Sequence, residues 1–126
     1  MLSRQRYDVN TDTGTQSFTG SFFMGGLMQI GWNATTPDTG ADLEISLQPG
    51  DGADTGEGWT VYSNNDCLGA DFLQPLSRNV VHANGLDTGT GGAQAAIAAA
   101  GDKLAIKVTP GGAAVVGTLY VWTYTG

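Results

Sequence analysis

Histidine and cysteine are nearly missing from this chain of 126 residues, which holds one of each, His82 and Cys67. A Ser-His-Asp triad would have to use His82, and a Cys-His dyad would take both residues. A structural zinc site with four Cys or His ligands is excluded. One cysteine cannot form an internal disulfide, which fits folding in a reducing cytoplasm. Long apolar runs are also lacking, and none approaches the roughly 18 residues that would span a bilayer. Met1-Leu2-Ser3-Arg4-Gln5-Arg6 leads into polar sequence without an apolar h-region, so no secretion signal is expected. Basic residues are scarce, five against twelve acids, for a net charge of −7. Residues 8–77 contain no Lys or Arg, while residues 1–7 contain Arg4 and Arg6 and no acid. Such a field repels nucleic-acid phosphates, so no nucleic acid is expected as a partner, and without a spanning apolar run no membrane is expected either. Composition alone names no function.

What is plentiful is glycine, 20 residues, set with Thr, Asp and Asn between short apolar or alternating runs. That pattern predicts many strands joined by turns. Strands are expected at Arg6–Val9, Gln16–Phe23, Leu27–Ala34, Asp42–Gln48, Trp59–Ser63, Asn79–Ala83, Lys103–Thr109 and Val115–Tyr124. Met24-Gly25-Gly26 reads as a hairpin connection. Leu43, Ile45 and Leu47 alternate with polar residues, as do Leu104, Ile106 and Val108, and both sets are candidate core. Ala93–Ala100 allows one helical turn, too short to stand without packing. The expected fold is all-β: a single-domain antiparallel β-sandwich, jelly-roll-like, of about eight strands. Gly-rich segments 50–58 and 84–95 read as long loops that are mobile or ordered by contact with a neighbour.

The tripeptide Asp-Thr-Gly occurs four times, at Asp12, Asp38, Asp54 and Asp87. Asp38-Thr39-Gly40-Ala41-Asp42 resembles the active-site segment of retroviral-type aspartic proteases, in which two aspartates share a proton and activate water. Val115-Val116-Gly117 could match the apolar-apolar-Gly segment of those enzymes. Asp38, however, follows the turn sequence Ala34-Thr35-Thr36-Pro37, where the family has an apolar strand. Asp and Thr bond local backbone and Gly accepts positive φ, so the repeated tripeptide reads as turn punctuation. No catalytic residue and no cofactor is expected. Asp51, Asp54 and Glu57 offer hard oxygen ligands for Ca²⁺ but lack EF-hand spacing, so a solvated loop without metal is expected. His82 reads as a satisfied strand residue and Cys67 as a small buried thiol.

Aromatic residues supply the stronger signal. Tyr120, Trp122 and Tyr124 share one face of the last strand, opposite Leu119 and Val121. If the aliphatic pair fills the core, the aromatic row faces outward, ready for another subunit or for a sugar. A strand with two apolar faces suggests self-association.

The run from Gly101 to Val121, Gly-Asp-Lys-Leu-Ala-Ile-Lys-Val-Thr-Pro-Gly-Gly-Ala-Ala-Val-Val-Gly-Thr-Leu-Tyr-Val, resembles the paired final strands of small head proteins of tailed bacteriophages. These are decoration, or cement, proteins on the outside of the capsid. The resemblance covers the last third in detail and the rest in style. It implies a sandwich or jelly roll, often trimeric, without an active site, made in the host bacterial cytoplasm and carried on the outer capsid surface of the virion. The implied partners are the major capsid protein and copies of the chain itself, as a homotrimer. On this reading residues 1–10 form an arm and 11–126 the sandwich. Leu2, Arg4, Arg6, Tyr7 and Val9 would touch the capsid or a neighbour, and removing residues 1–10 would leave the sandwich folded. Two other readings remain: a phage tail or fibre module binding host glycans through Tyr120, Trp122 and Tyr124, and the aspartic protease.

Overall fold

Alternation decides the centre of the molecule. In the computed structural model, Asp42–Gln48 is a strand with Leu43, Ile45 and Leu47 buried and Glu44 exposed between them. Leu104, Ile106 and Val108 are buried in the same manner, and Ile45 stands opposite Ile106 in antiparallel register. A period of two puts every second side chain on one face, so the register fixes what is buried.

The structure describes residues 1–12, 14–49, 58–76, 78–79, 94–95 and 97–124. Nine strands are assigned among them: β1 (Leu2–Asn10), β2 (Gln16–Thr36), β3 (Asp42–Gln48), β4 (Trp59–Asn64), β5 (Phe72–Pro75), β6 (Arg78–Asn79), β7 (Gln94–Ala95), β8 (Ile97–Thr109) and β9 (Val116–Tyr124). All pairings are antiparallel, and no helix occurs among the described residues. The main sheet runs β1-β9-β2-β8-β3-β4 with β5 attached to β2, and β6 and β7 form a separate short ladder. The chain is thus an all-β, sandwich-like single domain.

The sandwich arises because β2 belongs to both layers. Its first half, Gln16–Leu27, pairs with β8, and its second half, Gly26–Thr36, pairs with β9. One layer therefore holds β1, β9, the second half of β2, and β5. The other holds the first half of β2, β8, β3 and β4. Register shifts mark the passage between them. Gly101 drops out of the ladder between Asp102 and Ala100 at φ +75°, a bulge position that suits glycine. One core fills the space between the layers, built around Trp32, Leu27, Ile30, Leu43, Ile45, Leu104, Ile106 and Leu119.

Several expectations are corrected. Gln16–Phe23 and Leu27–Ala34 are not joined by a hairpin at Met24-Gly25-Gly26; they form one 21-residue strand. The chain does turn back there, since Gln16 and Thr36 both lie at the end opposite Gly26, but it does so as a bend that exchanges β8 for β9 as partner, and the two halves do not pair with each other. Gln94–Ala95 and Ile97–Ala100 are strand, not a helical turn, because Ala98 and Ala100 find ladder partners in Gly26 and Met24. A short alanine run has too little length to nucleate a helix against such pairing. The last two long strands, β8 and β9, do not pair with each other: each flanks β2. Phe72–Pro75 is a strand that the sequence pattern does not announce. Residues 80–83, including His82, and most of the two Gly-rich loops lie outside the described residues.

Candidate functional site

The aromatic row stands where alternation places it. Leu119 and Val121 are fully buried, so Tyr120, Trp122 and Tyr124 project from the outer face of the first layer. Tyr120 and Trp122 sit with ring centroids 6.0 Å apart, and the Arg4 guanidinium lies 4.8 Å from the Tyr120 ring centroid. That cation-π contact joins β1 to β9 across the face.

Register sorts the five expected arm residues into two groups. Leu2, Arg4 and Arg6 stand opposite Tyr124, Trp122 and Tyr120, all on the outer face. Arg6 is held by Asp8 at 3.0 Å, an exposed pair that also raises the arginine's pKa. Tyr7 and Val9 point the other way. Val9 is buried, and Tyr7 packs on Phe18 at 5.5 Å between ring centroids, with burial raising its pKa. Residues 1–10 are therefore the edge strand of the sandwich, paired with β9 along its length, rather than an arm beside it. Two of its five proposed contacts belong to the core. Thr11 closes this strand pair: its hydroxyl accepts the Val115 N–H at 2.8 Å, and its own N–H donates to Val115 O at 3.1 Å.

Beside the aromatic row lies a shallow groove of about 450 Å³. Its lining includes Arg4, Gly31, Asn33, Asp71, Tyr120 and Trp122. The floor is Gly31, where a Cβ would stand 2.9 Å from the benzo ring of Trp122 and 3.2 Å from a methyl of Leu73. Glycine there lets the indole rest on bare backbone. Asp71 Oδ1 accepts the Ala34 N–H at 2.7 Å, which fixes the carboxylate at the groove's rim. Sequence reasoning finds the two rings but not Gly31, Asn33 or Asp71, because they come together only through the β2–β5 and β2–β9 pairings.

Acidic residues tie turns together at the opposite end from Leu2. Asp38 accepts N–H groups from Gly40 at 3.0 Å and from Gly111 at 2.9 Å, linking the β2–β3 turn to the β8–β9 turn. The turns touch so closely that a Cβ on Gly111 would fall 2.3 Å from the Gly40 carbonyl carbon. Asp42 accepts the Asp66 N–H at 2.9 Å. Backbone donors at Gly40 and Gly111 hold the Asp38 carboxyl below its ordinary value. Asp38-Thr39-Gly40 is thus a turn staple in this fold. Asp38 should stabilise the fold above the ordinary carboxylate value of 3.8 and cease to do so as pH falls through its lowered pKa. Asp38→Asn cannot accept both N–H groups with anionic oxygens. Its melting temperature should lie below that of the parent at pH 6, and the gap should close in strong acid. A gap that is unchanged with pH would contradict this assignment.

Cys67 is half-buried, with its thiol 3.5 Å from Asn64 O, and burial pushes its pKa up, away from nucleophilic use. No group of three or more His, Cys, Asp or Glu suited to a metal occurs among the described residues. Asp51, Asp54 and Glu57 lie outside them.

No protein-family model matches the sequence, and no curated protein matches it. Among solved structures, that of infectious bursal disease virus, Gx strain, aligns with 100% of this chain at a TM-score of 0.45 and 14% sequence identity. The chain spans 32% of that viral chain.

Proposed function

We propose that this chain is a non-catalytic structural protein of a virus particle, a decoration protein on the outer surface of a tailed-phage head. The observation that carries the reading is a cluster of exposed apolar side chains at the Leu2 end of the first layer. Met1 (78% exposed), Leu2 (60%), Met28 (40%) and Tyr124 (51%) present large apolar side chains at one end. The register gathers them, since Leu2 faces Tyr124 and Tyr124 faces Gly26, two residues from Met28. Asp12, Asp38 and Asp66 occupy the turns at the other end, a strand length of about 30 Å away. A protein that stands on a shell needs such an apolar foot, and the Asp38 turns at the far end would then face solvent.

Magnitudes favour several copies acting together. Each large apolar side chain contributes roughly 1.5–3 kcal/mol when fully withdrawn from water. Association costs about 4–15 kcal/mol of lost freedom, so one small foot holds weakly. Linked copies would raise the effective concentration of every further foot, which supports an oligomer, taken on this reading as the homotrimer. Arg4 and Arg6, on the flank near the foot, add charge contacts of small size unless water is excluded. The major capsid protein is the partner on this reading, and the virion's outer surface the location.

Binding to the intact shell alone would stabilise it by mass action, about 2.7 kcal/mol at a hundredfold excess over Kd. Heads stripped of the protein should therefore burst at lower temperature than decorated heads, and adding the protein back should restore them. Stripped heads as robust as decorated ones would exclude the cementing role.

A further inference from the structure

We propose that the groove over Gly31 binds a neutral pyranose sugar, a role beyond the structural one above. A pyranose presents one flat face of C–H groups and a rim of hydroxyls that both donate and accept hydrogen bonds. It needs an aromatic plane next to a mixed set of polar groups. The groove supplies both. Trp122 is laid on the Gly31 backbone, with Tyr120 beside it at 6.0 Å. Around these rings stand a carboxylate, an amide and a guanidinium, from Asp71, Asn33 and Arg4.

The polar set is prepared rather than incidental. Asp71 uses Oδ1 on the Ala34 N–H, which leaves Oδ2 without a partner among the described residues, as an acceptor for a hydroxyl. Arg4 is positioned by the Tyr120 ring, which engages its cationic plane and leaves its N–H donors available to a hydroxyl oxygen. Asn33 is exposed at the rim and can donate or accept. Four chain segments converge here: β1, β2, β9 and the approach to β5.

Charge selects among ligands. An anionic ligand would meet Asp71 and the field of a chain with net charge −7, and a cationic one would meet Arg4. A neutral polyhydroxyl ligand escapes both penalties. The groove's ≈ 450 Å³ lies within the range of about 300–1,000 Å³ usual for small-molecule sites. Its polar rim, Asn33 and Asp71, lies toward the acidic end, so attachment through the apolar foot leaves it open.

The test is a titration of the full chain with glucose, galactose and N-acetylglucosamine, following the Trp122 indole N–H signal by NMR. A Trp59→Phe background removes the exposed tryptophan on β4. A saturable shift of the Trp122 signal is expected with at least one of the three sugars. Trp122→Ala should abolish binding, read from the sugar's own signals. Asp71→Asn keeps a carbonyl oxygen for the Ala34 N–H and should preserve the fold while weakening binding about tenfold. No saturable shift with any of the three sugars overturns the proposal. So does binding that Asp71→Asn leaves unchanged. Attachment of these variants to heads should be unimpaired, which separates this site from the foot.

Discussion

Removing residues 1–10 is expected to cost the chain its cooperative thermal transition. Every residue of β1 is in register with β9, from Leu2 opposite Tyr124 to Asn10 opposite Val116. Val9 is 1% exposed, and Tyr7 closes the core against Phe18. Losing the burial of Val9 alone removes roughly 1.5–3 kcal/mol, before the half-buried Tyr7 and the ladder itself are counted. Domains of this size hold only about 5–15 kcal/mol in total. Truncation would also expose the edge of β9 with its buried Leu119 and Val121, a template for aggregation. Circular dichroism on heating checks this. A truncated chain that melts cooperatively at the midpoint of the full chain would show that β1 is dispensable to the fold.

Ile106→Ala is the second large effect. Ile106 is 1% exposed and stands between Phe18 on β2 and Ile45 on β3. It therefore sits in the middle of the second layer, with neighbours held on both sides by ladders. Such a site cannot collapse around the missing atoms, and the loss should be about 2–5 kcal/mol. Urea unfolding should show a lower midpoint with an unchanged slope. A loss under about 1 kcal/mol would mean that the side chain is not packed as described.

Much of this fold is legible because alternation is a local signal. Asp42–Gln48 has the bounds that its pattern predicts, and β9 differs by one residue from the expected Val115–Tyr124. The outward direction of Tyr120, Trp122 and Tyr124 follows from Leu119 and Val121 alone. What escapes is set by pairing between distant segments. Met24-Gly25-Gly26 has the composition of a turn, and only the partners of β2 on each side make it a bend within one strand. The helix propensity of Ala98–Ala100 is overruled similarly, since Ala98 and Ala100 pair with Gly26 and Met24 in a ladder. Phe72–Pro75 is four residues long and ends in proline, too little pattern to announce a strand.

The site is half legible for the same reason. Arg4, Tyr120 and Trp122 are marked by the sequence, and the structure brings them together. Tyr7 and Val9 are marked with them but fall on the inner face, because a strand divides its neighbours by parity. Gly31, Asn33 and Asp71 carry no local mark of a site. Asp38 draws notice for a motif, and its hold on the Gly40 and Gly111 N–H groups comes from turns distant in sequence.

A reconstruction of intact heads that resolves this chain tests the central claim most directly. The protein is expected on the outer surface, in clusters of three, with Met1, Leu2, Met28 and Tyr124 against the shell and the Asp38 turn directed to solvent. Heads that carry no density for it, or that bind it by the Asp38 end, would contradict the account.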